Sequence, residues 1–123
     1  MKLRLHDDSL RLRLDRDEVD AIGRGEAVET SARFPGGQAL RWRLEVGGDE
    51  VTALLADDRV TVRLPAAVAA HWAGDDTEVS VRGRPPAADG ASLAILVEKD
   101  FECLEPRAGE SQRNRFTNPK KAG

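Results

Sequence analysis

The alternation of apolar and charged residues over the first fourteen positions predicts two β-strands. Leu3 and Leu5, and then Leu10, Leu12 and Leu14, recur at every second position, which places them on one face of an extended chain. The break between the two runs is polar, with two aspartates and a serine that favour a tight turn. The sequence therefore predicts an N-terminal β-hairpin whose leucines enter the core and whose basic residues point away from it.

A short helix is predicted directly after this hairpin. Asp15 has the side chain of a helix N-cap, and Glu18 lies three residues further on, as in a capping box. Val19 and Ile22 form a narrow apolar stripe, and Gly23 ends the pattern. The pattern indicates a helix with a single apolar face.

Strand patterns return after the helix and are separated by turns rich in glycine, proline and aspartate. The segments with strand character are 26–34, 38–46, 50–56, 59–64, 77–82 and 92–97. Pro65 is placed to open a second helix that carries Val68 and Trp72 on one side, and Gly74 ends it. The segment 92–97 is so evenly apolar that it is expected to lie in the middle of the sheet.

Two stretches fifty residues apart have the same apolar pattern. The corresponding residues are Leu10 and Val60, Leu12 and Val62, Leu14 and Leu64, and Ile22 and Trp72. Each set gives a strand, a helix, a glycine stop and a further strand, so a pseudo-twofold duplication is one interpretation. Together these patterns predict an α+β protein, mostly β, with an antiparallel sheet or small, partly open barrel of about seven strands and two short helices.

Charge divides the 123-residue chain into a body and a tail. Residues 106–123 carry five cations and one anion, a net charge of +4, whereas the whole chain has a net charge of −3 and residues 1–105 therefore −7. The body is long enough to bury a core without metals or disulfides. We expect one compact domain over residues 1–105, followed by a basic tail over 106–123 without fixed structure.

The chemistry of the chain fits a reducing compartment. Cys103 is the single cysteine and cannot form an internal disulfide. No apolar run is long enough for a membrane helix, and the residues after Met1 lack the apolar segment of a secretory signal. A cytoplasmic location without membrane contact is therefore expected.

Residues 7–14 and 96–104, with the spacing between them, resemble a family of small bacterial proteins defined only as a domain of unknown function. The likeness covers nearly the whole chain, although that family tends to carry Asn where this chain has Asp8. It implies one compact domain and no particular chemistry. Residues 59–79 look like the strand, proline-started helix and acidic turn of swapped-hairpin transcription regulators, but the basic loops that would contact DNA are not evident.

No catalytic residue, metal site or cofactor is predicted. Cys103 lies in an apolar stretch, where a free cysteine behaves as a small buried hydrophobe, and only His6 and His71 could act as its base. His6 and the two aspartates that follow it have no recognised metal-ligand spacing. The glycine pairs at 36–37 and 47–48 do not stand between a strand and a helix, so they indicate hairpin turns rather than phosphate loops.

The strand face that points away from the core is rich in arginine. By parity it carries Lys2, Arg4, Arg11, Arg13, Arg41, Arg43, Arg59 and Arg63. Like charges on neighbouring strands repel unless acids or a bound anion lie between them. One interpretation is a set of ion pairs with interleaved acids, which would be Glu29, Glu45, Glu50 and Glu98. The other is an anion site, for which the predicted binding residues are Arg4, Arg11, Arg13 and Arg41.

Two classes of function remain open from the sequence. The first is a non-enzymatic binding or protein-interaction module whose partner is an anionic ligand or another protein. The alternative is a small enzyme that acts on a phosphorylated or carboxylated substrate, and a perturbed carboxylate or histidine beside the arginines would favour it. The acidic body disfavours nucleic acid as the partner.

Overall fold

A computed structural model describes residues 1–100 of the chain, which form eight strands and two helices. The first half contains β1 (Lys2–His6), β2 (Ser9–Leu14), α1 (Arg16–Gly23), β3 (Val28–Arg33) and β4 (Ala39–Val46). The second half contains β5 (Thr52–Ala56), β6 (Arg59–Leu64), α2 (Ala66–Gly74), β7 (Ser80–Gly83) and β8 (Ala94–Lys99). The predictions for Cys103, for the domain boundary at 105 and for the tail over 106–123 concern residues outside this described part.

The strands form two four-stranded sheets. Sheet A has the strand order β1-β2-β8-β7, and sheet B has the order β3-β4-β6-β5. In each sheet the two inner strands run parallel, whereas each outer strand is antiparallel to its neighbour. The predicted α+β class with mostly antiparallel strands is confirmed. Residues 1–100 contain eight strands where the sequence indicated about seven, and the two sheets do not close into a barrel.

The two halves of the chain repeat one arrangement of elements. Each half reads strand, strand, helix, strand, strand, and its first hairpin pairs with the second hairpin of the other half. Equivalent hydrogen bonds join the inner strands: the Ala94 amide donates to the Asp8 carbonyl at 2.9 Å, and the Arg41 amide donates to the Asp58 carbonyl at 3.0 Å. The apolar pattern that recurs after fifty residues therefore marks a repeat of structure.

Equivalent aspartates make the tight turns of the β1–β2 and β5–β6 hairpins. Asp7 has a φ of 51°, and Asp57 and Asp58 have φ values of 54° and 62°. Aspartate enters this left-handed region more readily than most residues, because its short side chain can bond to the nearby backbone. The first of these turns sets the register in which Arg4 lies opposite Arg11.

One buried apolar cluster is shared by both sheets and both helices. Its fully or nearly buried members are Leu10, Leu12, Leu14, Val19, Ile22, Leu44, Val60, Val62, Leu64, Ala69, Trp72, Ile95 and Val97. Gly23 lets α1 approach α2 closely, since a Cβ on this residue would come within 2.9 Å of the Ala73 Cβ. The Trp72 indole is fully buried, and its Nε1 donates to the Val79 carbonyl at 3.1 Å. The two sheets are therefore held by a common core.

The predicted start of α1 is confirmed. Asp15 Oδ1 accepts the Glu18 amide at 2.9 Å, and Glu18 Oε1 accepts the Asp15 amide at 2.9 Å, which is a capping box. The second helix starts after Pro65 and has no side-chain cap. Neither helix within residues 1–100 is long and apolar enough to cross a membrane.

The prediction that every leucine of the first hairpin enters the core is wrong for Leu5. Leu10, its neighbour across the hairpin, is buried, whereas Leu5 is 57% exposed. Leu5 belongs to an edge strand and lies beside the turn, so only one neighbouring strand covers it. Leu55 has the equivalent place in β5 and is 72% exposed. The parity of a residue along its strand therefore predicts which face of the sheet its side chain points to, but not how deeply the side chain is buried.

Candidate functional site

The candidate site lies on the outer face of sheet A, which is the face opposite to the core. Residues paired directly across neighbouring strands point to the same face, so the pairing register defines two rows of outward side chains. The first row is Arg4, Arg11, Leu96 and Arg82. The second row is His6, Ser9 and Ala94, followed by Arg84, which continues the register just after β7.

These two rows line a groove of about 810 Å³, here named the arginine groove. In the second row the inner strands carry the short side chains Ser9 and Ala94. In the first row Arg4 and Arg82 lie on the edge strands, and Arg11 lies on the inner strand β2. Ser9 and Ala94 form the floor of the groove, the Arg4–Arg11 pair forms one wall, and Arg82 with Arg84 forms the other. A volume of this size lies within the range of about 300–1,000 Å³ that small-molecule pockets occupy.

The charge of the arginine groove has one sign. Four arginines and one histidine line it, and its lining contains no aspartate or glutamate among residues 1–100. Arg4, Arg82 and Arg84 form no ion pair with any acid in the described part of the chain. Arg84 has a long hydrogen bond to Ser92 Oγ, at 3.5 Å. The groove is therefore a concentration of positive charge on a chain whose net charge is negative.

The next row of sheet A, towards the other end of the strands, is neutralised by acids. Arg13 Nε donates to Glu98 Oε1 at 3.1 Å, and Arg11 Nε lies 3.6 Å from the same oxygen. Lys2 Nζ donates to Asp100 Oδ2 at 3.1 Å, and Asp100 is only 3% exposed. The boundary of the arginine groove is thus set by the carboxylate of Glu98.

The structure brings together only part of the predicted anion site. Arg4 and Arg11 line the arginine groove. Arg13 lies beside it in the same sheet and is occupied by Glu98. Arg41 lies in β4 of sheet B, apart from the other three. Parity correctly placed all four on outer faces, but parity does not tell which strands share a sheet.

Two arginines of the groove, Arg82 and Arg84, were missed by the sequence reasoning. They become neighbours of Arg4 and Arg11 because β8 lies between β2 and β7. A signal was present, since the segment 92–97 was expected in the middle of a sheet and the segment 77–82 precedes it along the chain. Pairing these two as a hairpin would have put Arg82 on the outer face.

The outer face of sheet B contains arginines that acids neutralise. Glu45 accepts hydrogen bonds from Arg43 Nε at 2.9 Å and from Arg63 Nε at 2.8 Å. Glu29 accepts from Arg59 Nη1 at 3.2 Å and lies 3.7 Å from Arg43 Nη1. Hydrogen bonds from Arg43 and Arg63, with their positive charge, hold the pKa of the Glu45 carboxyl below its usual value. The ion-paired interpretation therefore describes Arg43, Arg59 and Arg63 of sheet B, whereas Arg41 on the same face forms no ion pair within residues 1–100.

Metal-ligating side chains do not gather within the described residues. No group of three or more His, Cys, Asp or Glu side chains in residues 1–100 is arranged to hold a metal ion. His6 Nδ1 lies 3.5 Å from Asp7 Oδ2, and His71 Nε2 lies 3.6 Å from Glu78 Oε1, with all four side chains largely exposed. These contacts are surface pairs.

The fold and the site together define a small α+β protein with two four-stranded sheets, a common core and a cationic groove on one sheet. The chain belongs to the family of unknown function DUF7009, whose family model matches residues 1–120. No curated protein and no solved structure matches the chain. The family resemblance expected from residues 7–14 and 96–104 is thereby confirmed at the level of a family of unknown function.

Proposed function

We propose that this protein is a non-enzymatic binding module that holds an anionic ligand in the arginine groove of sheet A. One observation carries the proposal: four arginines line a groove whose lining, within residues 1–100, contains no acid. A guanidinium group presents a planar fork of donors that matches the oxygens of a phosphate or a carboxylate. The ligand class is therefore phosphate- or carboxylate-bearing.

The electrostatics of the groove explain why a ligand would bind there. Arg4 and Arg11 lie directly opposite each other on neighbouring strands, and like charges in this position repel. Of these two arginines, only Arg11 lies near an acid, with its Nε 3.6 Å from Glu98 Oε1. A bound anion would offset the remaining repulsion and would accept hydrogen bonds from guanidinium groups that the pairing of the strands brings together.

The composition of the groove supports binding over catalysis. A general base within reach of the ligand is the minimum for most small hydrolytic or transfer enzymes. The groove lining offers His6 as its single candidate among the described residues, and no carboxylate. His6 is highly exposed and its nearest acid is Asp7, which is also exposed. The alternative of a small enzyme on an anionic substrate therefore gains no support from this geometry.

We propose that the protein binds its partner in the cytoplasm. This partner is a small ligand or a protein that carries acidic or phosphorylated groups. A single cysteine fits a reducing compartment, since it leaves no internal disulfide to form. Nucleic acid is disfavoured because the net negative charge of residues 1–105 would repel a long polyanion outside the groove.

Thermal unfolding tests the proposal directly. A ligand that binds only the folded state raises the melting temperature, so phosphate, sulfate and an oligophosphate are compared with chloride at matched ionic strength. We expect at least one multivalent anion to raise the Tm of the wild type. The double variant Arg82→Ala, Arg84→Ala should show a smaller increase while keeping its Tm in chloride, because both side chains are exposed.

Arg41→Ala is the matched control. Arg41 is also an exposed arginine on an outer face, but it lies in sheet B. It should therefore keep the full response to anions. The proposal fails if no anion raises the wild-type Tm, and it also fails if Arg41→Ala loses the response as completely as the double variant.

A further inference from the structure

The arginines of the groove form two pairs on opposite walls. Arg4 and Arg11 lie in register on β1 and β2. Arg82 and Arg84 lie two residues apart on the β7 side, so they share a face. The strand between the two pairs, β8, contributes Ala94 and Leu96 to the outer face and no charge within the groove.

The distance between the walls exceeds what a single small anion spans. Neighbouring strands lie about 4.8 Å apart, so β2 and β7 are separated by about 10 Å and β1 and β7 by about 14 Å. A phosphate bound between Arg4 and Arg11 would leave the β7 pair unoccupied. The groove volume of about 810 Å³ is likewise much larger than one phosphate needs.

The floor between the two pairs is apolar. Leu96 is half-buried and lies between Arg11 and Arg82 in the same row, and Ala94 lies beside it. An apolar strip flanked by two cationic walls suits a ligand whose charges are at its ends and whose middle is uncharged.

We infer that the ligand is elongated and carries an anionic group at each end, with two phosphate or carboxylate groups about 10 Å apart joined by an apolar segment. One end contacts the Arg4–Arg11 pair, the other contacts the Arg82–Arg84 pair, and the middle lies on Leu96 and Ala94. This inference rests on the proposed anion-binding function and adds the number, spacing and linkage of the charges.

A chain-length series of α,ω-alkane bisphosphonates tests the inference. Each bisphosphonate is compared by calorimetry with the monophosphonate of the same chain length, using the full-length protein at constant ionic strength. When the second group reaches the second pair, its binding becomes intramolecular and the affinity rises. We expect the long bisphosphonates to bind at least about tenfold more tightly than their monophosphonates, and methylene bisphosphonate to show no such gain. The α,ω-dicarboxylates, run in parallel, distinguish a phosphate from a carboxylate ligand.

Single variants assign the two ends. Arg4→Ala and Arg84→Ala should each remove the advantage of the long bisphosphonate over the monophosphonate, because each weakens one wall and leaves the other. Arg41→Ala should leave it unchanged. Circular dichroism melts in chloride check that every variant folds.

The outcomes separate the two levels of the proposal. If monophosphonates and bisphosphonates of every length bind equally, the two-ended ligand is excluded while anion binding in the groove stands. If neither class binds and no anion raises the Tm, both the inference and the proposed function are overturned.

Discussion

The outer faces of sheet A and sheet B are built on the same repeat but differ in how their charges are balanced. In sheet B, Glu29 and Glu45 neutralise three arginines. In sheet A, Glu98 forms ion pairs with Arg11 and Arg13. Arg4, Arg82 and Arg84 have no acidic partner within residues 1–100. The row that contains Arg43 in sheet B therefore includes an acid, whereas the equivalent row of sheet A contains none.

The pairing register shows where this difference arises. Glu45 lies opposite Arg63 in sheet B, and Glu98 lies opposite Arg13 at the equivalent place in sheet A. One row further along, the equivalence ends, because Arg82 occupies the place that Glu29 has in sheet B. A single position thus changes from an acid to a base.

The neighbouring positions in that row change as well. Leu96 in sheet A stands where sheet B has Arg43, and Arg11 stands where sheet B has Thr61. The backbone repeat fixes where side chains project, but a few charges decide whether a face is an ion-paired surface or a cationic groove. The two sheets therefore share one backbone arrangement and differ in the charges of one row of side chains.

Exchanging charges between the two sheets should transfer the anion response from sheet A to sheet B. Arg82→Glu gives the arginine groove the acid that sheet B has at this place, and should abolish the rise in Tm with anions. Adding Glu29→Arg to that variant should restore a response, now in sheet B. A ligand at a hundred times its Kd stabilises the folded state by about 2.7 kcal/mol.

The control for this exchange is Glu26→Arg in the same background. Glu26 is an exposed acid paired with Arg24 at 3.2 Å, outside both rows. It brings the same change in net charge as Glu29→Arg, so it should restore nothing. If both second-site variants restore the response equally, net charge and not the row of side chains governs anion binding.

Gly83→Ala should destabilise the contact between β7 of sheet A and Val51, the residue just before β5. A Cβ on Gly83 would lie 2.6 Å from the Cβ of Val51, closer than real contacts allow. At the equivalent place sheet B accommodates the side chain of Thr30. Overpacking of this kind costs about 1–3 kcal/mol of the free energy of unfolding, which chemical denaturation would measure.

Two further variants test whether the loss of stability in Gly83→Ala comes from the contact with Val51. A Cβ on Gly36 would meet nothing within 4 Å, so Gly36→Ala should leave the stability nearly unchanged. Combining Gly83→Ala with Val51→Ala should recover little of the loss, because the Cβ of residue 51 at 2.6 Å and its carbonyl oxygen at 3.3 Å remain. Equal stability of the Gly83 and Gly36 variants would contradict the close packing of β7 against residue 51.

The ion pairs of Glu45 should give sheet B a pH-dependent contribution to stability. The folded-state pKa of Glu45 is lowered from its usual 4.5 by hydrogen bonds from Arg43 and Arg63. A lowered pKa means that the stabilisation is fully present above pH 4.5 and is lost as the pH falls through the folded-state value.

Removing the charge of Glu45 measures this contribution. Glu45→Gln should lower the free energy of unfolding at pH 7 by about 0.2–1 kcal/mol, as for other exposed ion pairs, and high salt should reduce the difference. The difference from wild type should shrink as the pH falls below 4.5. A difference that stays constant down to pH 3 would show that Gln changes packing rather than charge.

Local patterns in the sequence were enough for much of the fold. The period-two leucines of β2 and the capping box at Asp15 depend on residues close in the chain, and both are found as predicted. The recurrence after fifty residues anticipated the repeat, because each half uses the same local signals. The pairing of hairpins from the two halves, in contrast, depends on contacts between residues that are far apart in the chain.

That long-range pairing is the reason why the candidate site was only half predicted. Arg11 pairs with Leu96 across 85 positions of sequence, and only this contact brings Arg82 into the same row. Arg41 satisfied parity as well as Arg4 did, yet it joined the other sheet. Parity assigns a face within one strand, whereas partners are chosen by the packing of the whole core.

A matched pair of leucines tests the limit of parity. Leu5 and Leu10 lie opposite each other on one face of the β1–β2 hairpin, and parity alone would give them the same role. Leu10 is 4% exposed and Leu5 is 57% exposed. In chloride, Leu10→Ala should cost about 2–5 kcal/mol of the free energy of unfolding, whereas Leu5→Ala should change it by less than about 0.5 kcal/mol. Leu55→Ala, at the equivalent exposed place in sheet B, should be as mild as Leu5→Ala. If Leu5→Ala proves costly and Leu55→Ala does not, the end of β1 is covered in solution, which would contradict the 57% exposure of Leu5 at the sheet edge.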